Sequence, residues 1–444
     1  MIKRITTLIS VWILMCAPAY AQVYPDSTFN ALIRTGNGGW IAGDATYSIA
    51  LPDGRTLWLF GDSFIGTANP DSSIAPGATM IRNCAVVQQG DTMTALFQGT
   101  FESPVDFIQT NTPDSTWFWP EHGIVENNIL KIFFSEFGLG EGAPGWNFEY
   151  RNACVALFTF PEIELIGYNS LPYYEQNLVM YGDRLMVLGD YTYIYGRKEE
   201  VGNIPYVHLA RAPSGDLLNN WEFYSETGWT SNPEESKRLS NQTVSQQYGV
   251  FEHEGKYVMI TQEIWLGAKI YSLTADSPEG PWSNRVTLYE TPRPFTDQFT
   301  YNAYPHPQFD ENNELLISYN SNGSFWDIFS NVELYRPSFI RVPYLMIDSS
   351  FTPTSTHNLS APQQATTVKC FPNPADHQIT LAFSVTETTT WAVHFYDLTG
   401  KLLYTRSPRE FHVGDHEIVI ELDQFPKGAV IYSVGDFKGW FIHN

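Results

Sequence analysis

Basic residues are scarce in this chain. Its 444 residues hold 25 Lys and Arg against 48 Asp and Glu, a net charge of −23. Phosphate backbones are bound by clustered Lys and Arg, so this balance argues against a nucleic-acid partner. Charge of either sign is also sparse, at 16%, whereas aromatic residues reach 15%. That composition points to packed β structure rather than disorder. Cysteine is nearly absent, and Cys84, Cys154 and Cys370 are too scattered for a disulfide framework or a zinc site. Free, partly buried thiols are expected. Beyond the N-terminus no run of 18 or more apolar residues occurs, so no membrane span is expected in the mature chain.

What is present begins with an export signal. Lys3 and Arg4 precede an apolar stretch over residues 8–17, and Ala19-Tyr20-Ala21 supplies a small-x-small site. Residues 1–21 therefore read as a signal peptide cleaved before Gln22. A lipid anchor at the fourth cysteine, Cys16, would need a small residue where Met15 stands.

One layout then recurs five times: a short strand, a tight polar turn, and an apolar strand ending in a polar residue. The turns are Pro52-Asp53-Gly54, Glu126-Asn127-Asn128, Tyr181-Gly182-Asp183, His253-Glu254-Gly255 and Asp310-Glu311-Asn312. The second strands are read at residues 56–60, 130–134, 185–188, 257–260 and 315–318, all apolar, β-branched or aromatic. Further strands follow most hairpins, which makes four strands per unit at a period of roughly 55–75 residues, a propeller blade. Blade five lacks a fourth strand, and the segment 29–34 is expected to supply it. The fold class is thus all-β: a five-bladed β-propeller over residues 22–348, a Ser/Thr/Pro-rich linker over 349–367, and a small C-terminal β-sandwich domain over 368–444. A monomer is expected.

Superposing the repeats places chemistry. The polar residues ending the second strands are Asp62, Glu136, Asp190, Glu263 and Ser321. Fifteen residues earlier stand Tyr47, Glu121, Glu175, Tyr248 and His306. In a propeller the inner strands line a central channel. The start of strand one and the end of strand two share one face, so these acids, with Asp44, should ring one mouth. Crowded carboxylates push each other's pKa values apart, the condition for one acid and one base at the same pH. Glycoside hydrolysis uses such a pair. The candidate catalytic residues are Asp44, Asp62, Glu121 and Glu175. The candidate substrate contacts are Trp119, His122, Arg82, Arg151, Asp190, Trp146 and Trp265, since rings stack on sugar faces and polar groups fix hydroxyls. The alternative is a glycan-binding propeller without catalysis.

Residues 43–64, including Gly43-Asp44-Ala45-Thr46-Tyr47 and Leu59-Phe60-Gly61-Asp62-Ser63-Phe64, resemble a bacterial family of five-bladed, glycoside-hydrolase-like propellers. That family, long catalogued as a domain of unknown function, includes endo-D-arabinanases and is similar to the arabinanase and β-xylosidase propellers. The resemblance implies a secreted hydrolase of furanoside-containing polysaccharide, with acids from the inner strands of the first three blades; by position these are Asp44, Glu121 and Glu175, with Asp62 a fourth. It implies no required cofactor. A channel histidine that helps hold calcium in some arabinanases is similar in place to His306, so a structural calcium is a candidate there. Phe371-Pro372-Asn373-Pro374-Ala375, Tyr396-Asp397-Leu398-Thr399-Gly400-Lys401 and Lys427-Gly428 resemble a type IX secretion C-terminal sorting domain. That resemblance implies a secreted or surface-attached protein and the type IX machinery as a partner.

Overall fold

The computed structural model describes residues 22–35, 39–141, 147–293, 298–351, 368–385, 388–396, 402–423, 425–434 and 437–444. The expected signal peptide, Trp146, residues 352–367 of the linker and residues 397–401 of the sorting motif lie outside the described residues. The chain divides into two compact units, residues 1–353 and 354–444.

The first unit is the five-bladed propeller. Blade one comprises Trp40–Ala50, Thr56–Ile65, Cys84–Gln89 and Thr92–Leu96, paired in that order from the channel outward. Blade two is Thr116–Glu126, Ile129–Leu139, Phe148–Thr159 and Leu165–Ser170. Blade four is Gly249–His253, Lys256–Gln262, Lys269–Ala275 and Val286–Glu290. Asparagine pairs make two of the two-residue hairpin turns. Asn127-Asn128 and Asn312-Asn313 all take positive φ between 51° and 60°, as a two-residue type I′ turn requires. Each sheet is apolar on both faces and packs on the next blade. Leu57 and Leu59 of blade one meet Phe118 and Phe134 of blade two, and Ile260 of blade four meets Ile317 and Ile340 of blade five.

Blade three corrects the sequence reading. Tyr181-Gly182-Asp183 is not a turn but the middle of the inner strand, Met180–Leu188. The turn is Gly189-Asp190, with Gly189 at φ 60°, and the second strand is Tyr191–Glu200. Both Gly-Asp pairs carry turn chemistry; the first is instead a β-bulge, where the register shifts between Tyr181 and Arg184.

Ring closure is corrected as well. Residues 29–34 supply no strand, because Ser27–Leu32 form a helix capped by the Asp26 side chain. Tyr24–Pro25 pair with Ser338–Pro343 instead and complete blade five outside Phe299–Pro305 and Glu314–Asn322. Asp26 also bonds the buried Arg341 at 2.6 Å. Asp26→Ala removes cap and counter-charge together. A loss of about 3 kcal/mol is expected by urea denaturation, the low end for a broken buried pair because Glu311 also reaches Arg341.

The C-terminal unit is a small β-sandwich. One sheet holds Lys369–Phe371, Gln378–Val385 and Gly414–Glu421; the other holds Leu402–Phe411, Thr389–Tyr396, Gly428–Val434 and Phe437–His443. Leu381 and Phe383 of the first pack with Phe395, Val430 and Phe441 of the second. Cys84 and Cys154 are buried free thiols, and Cys370 is free as well.

Candidate active site

Bulges decide which side chains enter the channel. In a regular strand alternate residues face opposite ways, and an extra residue re-aims its neighbours. The inner strand of blade one shifts register between Gly43 and Ala45, at Asp44. Blade two does so between Pro120 and Gly123, at Glu121-His122, and blade three at Gly182-Asp183. One acid is therefore presented from each of the first three blades: Asp44, Glu121 and Asp183.

Asp44 lies nearest the mouth and is partly exposed. The Tyr301 hydroxyl donates to its Oδ2 at 2.8 Å, and Tyr335 donates as well. A Cβ on Gly61 would lie 2.5 Å from Asp44 Oδ1, so only glycine admits the carboxyl there, directly beside Asp62. Asp62 Oδ1 accepts from Trp119 Nε1 at 2.9 Å, and Asp62 Oδ2 pairs with Arg82 at 3.1 Å. The Arg82 guanidinium lies 4.6 Å above the Trp117 ring, and its backbone N–H donates to Asp106. Enclosure and the neighbouring Asp62 charge push Asp44 up to about 7. Enclosure raises Asp62 too, but Arg82 and Trp119 favour its charged form. The sequence expectation thus brings together Asp44, Asp62, Arg82 and Trp119. It missed Tyr301, Tyr335 and Asp106, which nothing in the repeat arithmetic marks.

Glu121 is not at the mouth. It is buried deeper, accepting from the Tyr47 and Ser135 hydroxyls and facing Arg197 at 3.5 Å. Arg197 also pairs with Asp183 at 2.5 Å. One guanidinium thus serves two buried carboxyl groups. Burial pushes Asp183 well above the usual carboxylate range, the Glu121 charge adds to this, and Arg197 opposes it. Asp183 and Arg197 were hidden by the misread turn of blade three; a second Gly-Asp pair seven residues on was the available signal.

Other expected residues fall elsewhere. Glu175 is exposed in a helical turn, Tyr174–Asn177, before the inner strand begins, so it does not line the channel. Asp190 is exposed in the blade-three hairpin turn, on the opposite face. His122 follows Glu121 in the bulge and points to the far end of the channel, bonding Arg184 at 3.0 Å. Arg151 pairs with Glu149 and the Leu139 carbonyl rather than with the acid pair. Trp265 stands 71% exposed on the loop after the second strand of blade four, on the mouth face; Trp326, 78% exposed, stands in the helix Phe325–Ser330 that follows the second strand of blade five. His306 is fully buried. Its Nδ1 and Nε2 lie 2.6 and 2.8 Å from the Ser48 and Ser318 hydroxyls, and burial depresses its pKa. With both nitrogens engaged, and no cluster of three His, Cys, Asp or Glu among the described residues, His306 does not fit a calcium site.

Residues 26–358 match the family described as a domain of unknown function, DUF5005. Residues 369–439 match the secretion system C-terminal sorting domain, which marks the chain for export to the cell surface or beyond. A provisionally assigned hydrolase from Bacteroides ovatus shares the fold with a TM-score of 0.63 and 23% identity, over 78% of this chain and 96% of that one. Weaker likenesses reach a family 43 arabinoxylan arabinofuranohydrolase from Bacillus subtilis (TM-score 0.43, 13% identity, 91% and 96% covered). A GH43_1 enzyme from Xanthomonas citri stands similarly (0.41, 14%, 71% and 93%). No curated protein sequence matches the chain.

Proposed function

The chain belongs to the DUF5005 family, and from that premise we propose that it is an exported glycoside hydrolase whose acid pair is Asp44 and Asp62. One observation carries the reading: two carboxyl groups share a partly open mouth, and their surroundings separate their charge states. Asp44 keeps its proton to about pH 7, as a general acid must, while Arg82 and Trp119 oppose the upward push of burial on Asp62 and favour its carboxylate. Asp44 donates its proton to the departing glycosidic oxygen. Asp62 either attacks the anomeric carbon or draws a proton from the attacking water. Trp265 and Trp326 offer apolar faces to sugar rings at the rim.

The substrate we favour is a furanoside-containing polysaccharide, D-arabinan among them. This rests on the resemblance of residues 43–64 to a family that includes endo-D-arabinanases. The type IX machinery is the proposed route out of the cell. Incubation with arabinan, arabinogalactan and related glycans, followed by chromatography, tests the reading. Released oligosaccharide supports it; tight binding without product supports the glycan-binding alternative.

The pH profile follows from the pair. kcat/KM should rise on the acid side as Asp62 loses its proton and fall as pH passes about 7, where Asp44 loses its own. A rate that climbs steadily through pH 8 is incompatible with Asp44 as the acid.

A further inference from the structure

The inner strand of blade one runs from the acidic mouth to the hairpin-turn face. Beyond Asp44 and Tyr47 it reaches Ser48, where the channel opens into a second cavity of about 260 Å³. This cavity is lined by Ser48, His122, Arg184 and Gln308, with apolar residues of blades one, two, three and five between them. None of its lining residues is acidic, in a chain of net charge −23.

Arg184 is its centre. The Arg184 side chain is half-buried, and no carboxylate lies within ion-pair distance among the described residues. The nearby acids are taken: Asp183 and Glu121 by Arg197, and Glu126 by Lys131 at 2.8 Å. Arg184 Nε is buried and has no hydrogen-bond partner. Its NH1 donates to His122 Nε2 at 3.0 Å and reaches the Tyr304 hydroxyl at 3.5 Å. Burial and the Arg184 charge hold His122 well below its usual pKa, so the imidazole is neutral and can accept. Beside them Gln308 donates to the Ser48 hydroxyl at 2.6 Å.

A guanidinium without a counter-charge, lining a cavity free of acids, is complementary to a small anion. We propose that this far end of the channel binds a small oxyanion, with Arg184 supplying the charge and fork and Gln308 and Ser48 the neutral contacts. The volume is below that of a drug-sized pocket, which suits an inorganic oxyanion or a single organic acid such as a uronate. The site is separate from the acid pair, with the Glu121–Arg197–Asp183 network between them.

Thermal unfolding of the full chain at constant ionic strength tests this, with chloride exchanged for sulfate or, in a second arm, galacturonate. Sulfate stabilises proteins generally by exclusion, so the informative features are saturation and dependence on Arg184. A saturable rise is expected for the wild type, with binding at least about tenfold weaker in Arg184→Met, the least expected for a lost charged hydrogen bond. Saturation with sulfate alone, galacturonate alone or both identifies the class of anion. No saturable rise with either, or an equal rise in the variant, overturns the proposal. If Arg184→Met does not fold, wild-type crystals soaked in selenate decide. An anomalous peak against Arg184, or galacturonate density there in a parallel soak, supports the site, and the absence of both overturns it.

Discussion

Asp44→Asn is expected to lower glycan turnover by about 10³-fold while leaving the propeller folded, and Asp62→Asn to do the same. Asparagine preserves size and still accepts from Tyr301, but it can neither donate an acidic proton nor carry charge. The variants differ in pH dependence. Residual activity of Asp44→Asn should lose the decline above about pH 7, whereas Asp62→Asn should keep a decline but at lower pH, because the Asp62 charge no longer raises Asp44. Stability adds an independent sign. A carboxyl whose folded pKa is raised contributes stability below its unfolded pKa and loses it as pH rises through the folded value. Asp44→Asn should therefore unfold at higher denaturant than wild type at pH 8, with the gain shrinking toward pH 4. Full activity in both variants would remove the acid pair from the chemistry.

The largest loss of stability is expected from Arg197→Met. Arg197 is buried and is the only cation that pairs with Glu121 and Asp183 among the described residues. Burial pulls its own pKa down, yet the two acids hold it above its usual value. Removing one partner of a buried charged network costs about 3–5 kcal/mol, because the remaining charges stay desolvated. Without the guanidinium Asp183, already raised by burial, favours its protonated form still more. The deficit should therefore be smallest in acid and grow as pH rises through the carboxyl range. Adding Glu121→Gln and Asp183→Asn should recover part of the loss. A urea midpoint unchanged from wild type would mean that water, rather than Arg197, neutralises the pair.

Blade count and the mouth acids were legible in the sequence for a local reason. The hairpins of blades one, two, four and five each offer one turn-forming cluster between two apolar runs, and the Gly-Asp repeats at Gly43-Asp44 and Gly61-Asp62 stand out. Blade three offers two clusters, Gly182-Asp183 and Gly189-Asp190, and propensity does not separate them. What separates them is packing: a Cβ on Gly182 would meet Phe133 of the neighbouring blade at 2.7 Å. Counted back from Asp190, a hairpin-turn residue read as a strand end, the fifteen-residue step lands on Glu175 before the inner strand instead of on Asp183. The step did land on Glu121, but the bulge sends it inward, and its neighbour His122 to the far end. Tyr301 and Tyr335 reach Asp44 from the adjoining blade five, a relation with no sequence periodicity.

The pairing of Tyr24–Pro25 with the strand at Ser338–Pro343 has a consequence in time. Asp26 and Arg341 are 315 residues apart, so the two halves of the clasp are the first and nearly the last propeller residues to leave a ribosome or cross a membrane. Closing so long a loop is slow, and long-range strand pairing waits on it. Through most of its synthesis the chain is an open arc whose N-terminal strand, Tyr24–Pro25, has no blade-five partner to pair with. The sorting domain follows only after that missing partner has emerged. The same clasp that locks the finished ring thus keeps the travelling chain unlocked until its cargo portion is complete.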